Sequence, residues 1–270
     1  EIKHKIMIDI SVISVTKDNL EGLKRTWSSL ISQDINLDTI EWIVKDGVSR
    51  DGTIEFLKEV EQKGILKNFR WVSGSDQSLY DAMNIAMTMM SGRYAQFLNA
   101  GDYYHSANVL SRTIAIMHEY DYQDAPTFFY GDDLVENIDG NFVLRRARDI
   151  GYLWHSLPCS HQAIFYNTAH IGDVRYDVKY RICADYQFTY EIYKTNYHGY
   201  RLLNYIVPIF VAGGHALQQR LKLCQEAYDI KKESSDIPMI MRSFSFAAGY
   251  ANNVMMHHVP WLYNVHRRLM

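Results

Sequence analysis

The chain has only three cysteines in 270 residues, Cys159, Cys183 and Cys224, and they stand far apart. No CxxC pair or disulfide framework can be drawn from them, which fits a reducing compartment and three ordinary buried thiols better than a zinc site. Long apolar runs are also missing. No stretch approaches the roughly 18 residues that would span a bilayer, and the first residues hold no apolar segment of signal-peptide length. The expectation is therefore a cytoplasmic protein. Charge of one sign is lacking too: 28 Lys and Arg against 31 Asp and Glu give a net charge of −3, so nothing draws the chain to nucleic acid. With five prolines in all, no Pro/Ser linker separates domains, and no internal repeat or low-complexity tract is present. Two motifs are absent. Without GxGxxG after the first strand a dinucleotide dehydrogenase is weakened, and without GxxxxGK[ST] so is a P-loop NTPase.

What is present is 47% apolar residues, enough for a substantial core, in an alternating order over the first hundred positions. "KIMIDISVISVT" is rich in β-branched residues and reads as a strand. In "NLEGLKRTWSSLISQ", Leu20, Leu23, Trp27, Leu30 and Ile31 share a helical face. "TIEWIVKDG" is a second strand, "TIEFLKEVEQ" a helix opened by Asp51-Gly52-Thr53, "FRWVS" a third strand, "SLYDAMNIAMTMM" a helix and "RYAQFLN" a fourth strand. This order predicts a mixed, mostly parallel α/β sheet flanked by helices, a Rossmann-like arrangement in which ligands sit at the carboxyl ends of the strands. Each strand delivers polar groups to that rim: Thr16 and Asp18 after the first, Asp46 after the second, Ser75 and Asp76 after the third, Asp102 after the fourth. Asp51 and Ser78 read as helix caps. Beyond residue 120, "APTFFYGDDLV" and "GNFVLRRAR" form a hairpin, "SHQAIFYN" a strand, "ADYQFTYEIYKTN" a helix entered after Asp185, "YRLLNYIVPIFVAGGHA" a strand, and "LQQRLKLCQEAYDIKKES" an amphipathic helix.

Carboxylates on one rim suggest Mg²⁺ or Mn²⁺ held together with a phosphorylated ligand. Such ions take one or two protein carboxylates and complete their shell with phosphate and water, and Asp102 suits that role. Amides at the helix start near Ser78 favour anions as well.

The motifs then resemble, in the right order, bacterial family 2 glycosyltransferases of the GT-A fold, in a polysaccharide-biosynthesis subgroup like the colanic acid and O-antigen enzymes. "ISVISVTKDN", "IVKDGVSRDGT", "SDQSLYDAMNIAM", "FLNAGD", "SHQAIFYN" and "YRICADYQF" carry the resemblance, over about residues 6–215. It implies a catalytic domain at 1–215 with a helical extension at 216–270. It implies that Thr16, Asp18, Asp46 and Asp76 bind the donor nucleotide of a UDP-sugar, and that Tyr80, Asp81, Asn84 and Asn99 lie by the donor sugar and diphosphate. Asp102 would bind the metal, with His215 as a second metal candidate. His161 and Gln162 would line the acceptor side; the other reading of His161 is a satisfied core imidazole. Asp185 would be the general base for inverting transfer, and its other reading is a helix N-cap. "FLNAGD" departs from the DxD pattern: Asn99 replaces its first acid and Gly101 another, leaving one carboxylate for the ion. Arg145, Arg146 and Arg148 either meet an acceptor phosphate or form a solvated charged face. Ile237–Met270 holds no acidic residue. It reads as helices packed on the catalytic domain or a dimer partner, or as an inner-membrane face suited to an undecaprenyl-diphosphate-linked saccharide acceptor. A nucleotidyltransferase acting on sugar phosphates and a noncatalytic sugar-nucleotide-binding protein remain alternatives.

Overall fold

A computed structural model describes residues 7–137, 139–211, 219–234 and 236–258. The first half builds as the alternation predicts. β1 (Ile10–Thr16) and β2 (Ile40–Asp46) are buried along their whole length, as strands covered by helices on both faces must be. β3 (Asn68–Ser73) and β4 (Tyr94–Phe97) lie parallel to them, giving the run β3-β2-β1-β4. Register does the positioning: Thr16 pairs Asp46, and Asp46 pairs Ser73, so these polar ends share one level of the rim. Because side chains alternate along a strand, Ile10, Val12, Trp42 and Val44 enter one core while Ile13, Val15 and Ile43 enter the other.

α1 (Leu20–Ile31) is capped by Asn19, whose side chain accepts from the Gly22 N–H, and it buries Leu23, Thr26, Trp27 and Leu30. Trp27 stacks on Trp42 with ring centroids 5.1 Å apart, locking this helix to β2. α2 (Thr53–Lys63) ends at Gly64, and α3 (Leu79–Met87) starts on the Ser78 cap. A short helix absent from the sequence reading, α4 (Val109–Met117), buries Val109, Leu110 and Met117 against the α1 side of the sheet.

The second half bends the sheet. β5 (Tyr103–Tyr104) is a two-residue strand; β6 (Phe128–Glu136) and β7 (Phe142–Arg145) form the expected hairpin, and β8 (Ile164–Asn167) inserts antiparallel between β4 and β6. β9 (Tyr200–Val211) runs parallel to β6 and pairs β5 antiparallel. The β6–β9 pair is irregular between Tyr130 and Leu134, and there only glycine fits: a Cβ on Gly131 would stand 2.5 Å from the Tyr205 carbonyl. The order of the described strands is β3-β2-β1-β4-β8-β6-β9-β5 with β7 on β6. α5 (Thr168–Ile171) and α6 (Ala184–Thr195) precede β9; α7 (Arg220–Glu233) and α8 (Met239–His258) follow it and pack on each other. Among the described residues no helix is long and apolar enough to cross a membrane.

Candidate functional site

The turn after β4 is built to present one acid. Gly101 sits at φ 108°, where a side chain would be strained. Thr26 of α1 holds the turn: its hydroxyl accepts from the Gly101 N–H (3.1 Å) and donates to the Asp102 carbonyl (2.8 Å). Asn19 closes the outer side through Nδ2 to the Ala100 carbonyl at 3.0 Å. The Asp102 carboxylate therefore points inward, only 5% exposed. Its Oδ2 accepts from Gln162 Nε2 (2.9 Å) and its Oδ1 from the Val211 N–H (3.1 Å), so the turn leading into β8 and the end of β9 both converge on it. Gln162 is itself fixed, its carbonyl accepting from Gln96. Burial pushes the Asp102 carboxyl up to about 7, against the opposing pull of these two hydrogen bonds.

Asp102 opens onto a cleft of about 1020 Å³. Asn99, Tyr80, His161, Gln162 and Asp185 line the same cleft. Asp185 lies in the first turn of α6 rather than at its cap, which is Cys183, and its Oδ1 accepts from the Tyr186 N–H at 2.8 Å. Tyr80 donates to the Ile182 carbonyl (2.6 Å) and stands 3.3 Å from Asp185 Oδ1. Burial raises the Asp185 carboxyl to about 6, although the Tyr186 N–H and Tyr80 oppose it. His161 borders the cleft, but its ring stacks on Phe97 at 4.9 Å and its Nε2 meets the Tyr176 hydroxyl at 3.0 Å. Burial lowers its pKa to about 3, so it is a neutral imidazole.

Of the other described candidates, Arg145 also lines the cleft and the rest lie outside its wall. At the β1–β3 rim, Asp46 accepts from the Val48 and Ser49 N–H groups (2.9 and 3.1 Å) and from the Ser73 hydroxyl (2.6 Å), shaping the following loop. Asp18 accepts from the Arg50 N–H at 2.8 Å. Asp76 pairs with Lys45 at 2.9 Å, and the buried ammonium also donates to the Asp46 and Gly74 carbonyls. Thr16 Oγ1 is buried with no hydrogen-bond partner among the described residues. Asp51 joins two helix starts, accepting from the Leu20 N–H at 2.7 Å and the Thr53 N–H at 3.2 Å. Asp81 accepts from the Gln77 N–H and receives the Ser78 cap, and Asn84 spans the Tyr176 backbone from both sides. Arg145 and Arg146 are ion-paired to Asp133 and Asp132 at 2.6 Å, and Arg148 lies over the Tyr152 ring. His215 lies outside the described residues.

For a divalent cation the donor chemistry fits. Among the described residues each Asp102 oxygen keeps one lone pair, and Asn99 Oδ1 on the same turn is buried with no partner. Both are hard oxygen donors of the kind Mg²⁺ and Mn²⁺ take. Among the described residues no group of three or more His, Cys, Asp or Glu could hold a metal, so most of the shell would come from ligand and water.

Several residues that line the cleft or hold its walls escaped the sequence reading. Thr26 is one. Glu226 of α7 is another: it is buried and accepts from three consecutive backbone N–H groups, Arg181 (3.0 Å), Ile182 (2.8 Å) and Cys183 (3.0 Å), directly before α6. Lys231, also on α7, is buried beside the cleft with His155 and Ser245. The available signal was that Glu226 and Lys231 fall among Cys224, Ala227 and Ile230 on the apolar face of their helix.

A sheet of this order, with a cleft at the carboxyl ends of β1 and β4 and one acid-bearing turn there, is the GT-A class of α/β fold. Staphylococcus aureus TarS residues 1–349, solved with UDP-GlcNAc, superposes with a TM-score of 0.67 at 15% identity, covering 93% of this chain and 76% of that one. A mannosyltransferase from Pyrobaculum calidifontis, solved with GDP-Man and Mn²⁺, gives 0.63 at 15% identity, covering 96% and 72%. The pattern of Glycosyl transferase family 2 matches residues 11–169, and the chain belongs to that family. A PGL/p-HBAD biosynthesis glycosyltransferase of Mycobacterium tuberculosis (strain ATCC 25177 / H37Ra) is 31% identical over 153 residues, 55% of this chain. The match spans 56% of that relative's length. An uncharacterized glycosyltransferase of Mycobacterium tuberculosis (strain ATCC 25618 / H37Rv) is 29% identical over 184 residues, 66% of each chain.

Proposed function

We propose that this chain transfers a sugar from a nucleotide-sugar donor, a UDP-sugar, to a hydroxyl of a saccharide acceptor with inversion at the anomeric carbon. The observation that carries the reading is that two carboxylates from unrelated elements, Asp102 after β4 and Asp185 on α6, open onto one cleft. Asp102 marks the diphosphate end. The β1–β3 rim of Thr16, Asp18, Asp46 and Asp76 borders the nucleotide, and Tyr80, with Asp81 and Asn84 behind it, lies at the donor sugar. Asp185 takes the proton from the acceptor hydroxyl as that oxygen bonds to the anomeric carbon; the bond from that carbon to the diphosphate oxygen breaks, and UDP leaves on the opposite face. Mn²⁺ or Mg²⁺, held by Asp102 and Asn99, would supply charge stabilisation for the departing diphosphate. Asp185 needs its carboxylate form for this role, and a base raised to about 6 is largely ionised at pH 7 while still basic enough to accept a proton.

The acceptor is a lipid-linked saccharide of bacterial surface polysaccharide synthesis, reached at the inner membrane face. Support comes from α8, where Met239, Ile240 and Phe244 are exposed, Ile240 by 80%. The test is a thermal-shift panel of UDP, GDP and dTDP with and without Mn²⁺. UDP with Mn²⁺ should raise Tm by mass action, and Asp102→Ala should remove the metal-dependent part while the apo protein stays folded. A gain with GDP or dTDP and none with UDP would overturn the donor assignment.

A further inference from the structure

The end of the cleft lined by α7 and α8 has no part in the reading above. Its walls are mostly apolar, with Leu157, Leu223, Ala227 and Phe246 among them. Into this setting α7 places Lys231, only 2% exposed. Its ammonium donates to Ser245 Oγ of α8 at 2.6 Å. It lies 5.5 Å from the centroid of the Tyr186 ring, the residue next to Asp185. Among the described residues no carboxylate stands within ion-pair distance of it.

A buried cation without an anion is costly, and proteins pair or discharge such groups. Lys45 shows the contrast within this molecule: equally buried, it has Asp76 and two carbonyls around it. Among the described residues Lys231 has one neutral hydroxyl as hydrogen-bond partner, so two of its three N–H donors are unspent there. His155, on the same wall, adds a buried Nδ1 with no partner among the described residues. Desolvation is the largest influence on both groups, lowering the lysine to about 8 and the histidine to about 4, which fits a pocket short of counter-charge.

We infer that this end of the cleft is an anion-binding subsite for the acceptor, seating a phosphate or carboxylate carried on an apolar group, with Lys231 as its charge and His155 and Ser245 as neutral partners. The inference rests on the reading of the cleft as a sugar-transfer site only in naming the occupant as acceptor. Because Lys231 packs over Tyr186, an anion held there places the attached acceptor next to Asp185. The apolar walls take the carrier, and the ammonium fixes its orientation.

The test uses the full chain and three probes of one shape: benzyl phosphate, benzoate and benzyl alcohol. Binding is followed by titration calorimetry, with UDP and Mn²⁺ titrated in parallel. Wild type should bind at least one anionic probe about tenfold or more tightly than benzyl alcohol. The arm that wins separates a phosphate-bearing from a carboxylate-bearing acceptor. Lys231→Met should remove the preference and leave UDP binding unchanged. Lys231→Gln, which keeps a donor towards Ser245 without the charge, should behave the same and covers the case in which the methionine variant does not fold. Equal binding of all three probes, or an anion preference that survives both substitutions, overturns the subsite. Anion binding without any nucleotide binding would leave the subsite standing and sink the transfer reading; nucleotide binding without the anion preference does the reverse.

Discussion

Asp185 and Asp102 carry opposite demands on the same kind of side chain. Asp185→Asn keeps the shape but cannot accept a proton, so transfer should fall roughly 10²–10⁴-fold while UDP-sugar binding holds. In the wild type the rate should fall as pH drops through about 6, where the carboxylate gains its proton. A variant at near wild-type rate, or a product of retained configuration, would remove Asp185 from that role. Asp102 speaks to stability. Its folded pKa, about 7, lies above the ordinary carboxylate value, so between about pH 4 and 7 the folded state binds more protons than the unfolded state. Stability contributed by the protonated form is full at low pH and lost as pH rises through 7. Asp102→Asn, which cannot ionise, should therefore gain on wild type as pH rises, by about 2–4 kcal/mol between pH 4 and 8 without metal or nucleotide. Melting curves across that range check it; parallel curves for the two proteins would mean the carboxyl is not held near 7.

Glu226 shows how one element sets up another. Its carboxylate on α7 takes the N–H groups of residues 181–183, the approach to α6, and so fixes where Asp185 stands. Its charge also contributes to raising the Asp185 carboxyl. Glu226→Gln keeps an acceptor but puts an NH₂ against one of the amides, an unsatisfied contact worth about 1–3 kcal/mol. Two effects should appear: a lower kcat, and a shift of the acid limb of the pH–rate profile to lower pH as the second negative charge disappears. A merely structural role would change stability and leave the limb in place. The same logic explains why the element was legible and its purpose was not. The spacing of Leu223, Cys224, Ala227 and Ile230 predicts an amphipathic helix, but nothing in that spacing says that Glu226 meets a loop some forty residues earlier or that Lys231 meets Ser245 on the next helix. Asp185 likewise reads as a cap or a base in sequence, and only the placement of Cys183 at the cap separates the two positions.

At the scale of the whole molecule, α8 turns Met239, Ile240, Phe244 and Tyr250 outward on the side of the chain that closes the cleft. If this face meets lipid, Ile240→Ser with Phe244→Ser should weaken co-sedimentation with phosphatidylglycerol-containing vesicles by about tenfold or more, since burying each side chain is worth about 1.5–3 kcal/mol. UDP binding should be unaffected. Vesicle binding that does not change, with a concentration-dependent dimer that the substitutions dissolve, would reassign the face to a second copy of the chain.

The sequence by itself determined the parallel β1–β4 core and its rim of acids. Strand and helix periods are local, helix caps such as Ser78 and turns such as Asn99–Asp102 are written within a few residues, and a parallel sheet has one edge at which such turns collect. The motif order carried the family as well, through the same local segments. Only the tertiary structure decided what those acids experience. The pKa of Asp102 depends on Gln162 and Val211, sixty and more positions away, and that of Asp185 on Tyr80 and Glu226. It also decided that Lys231 is buried against Ser245 with no acid beside it among the described residues. Burial and hydrogen bonding are sums over neighbours brought together by long-range packing, so no window of the chain contains them.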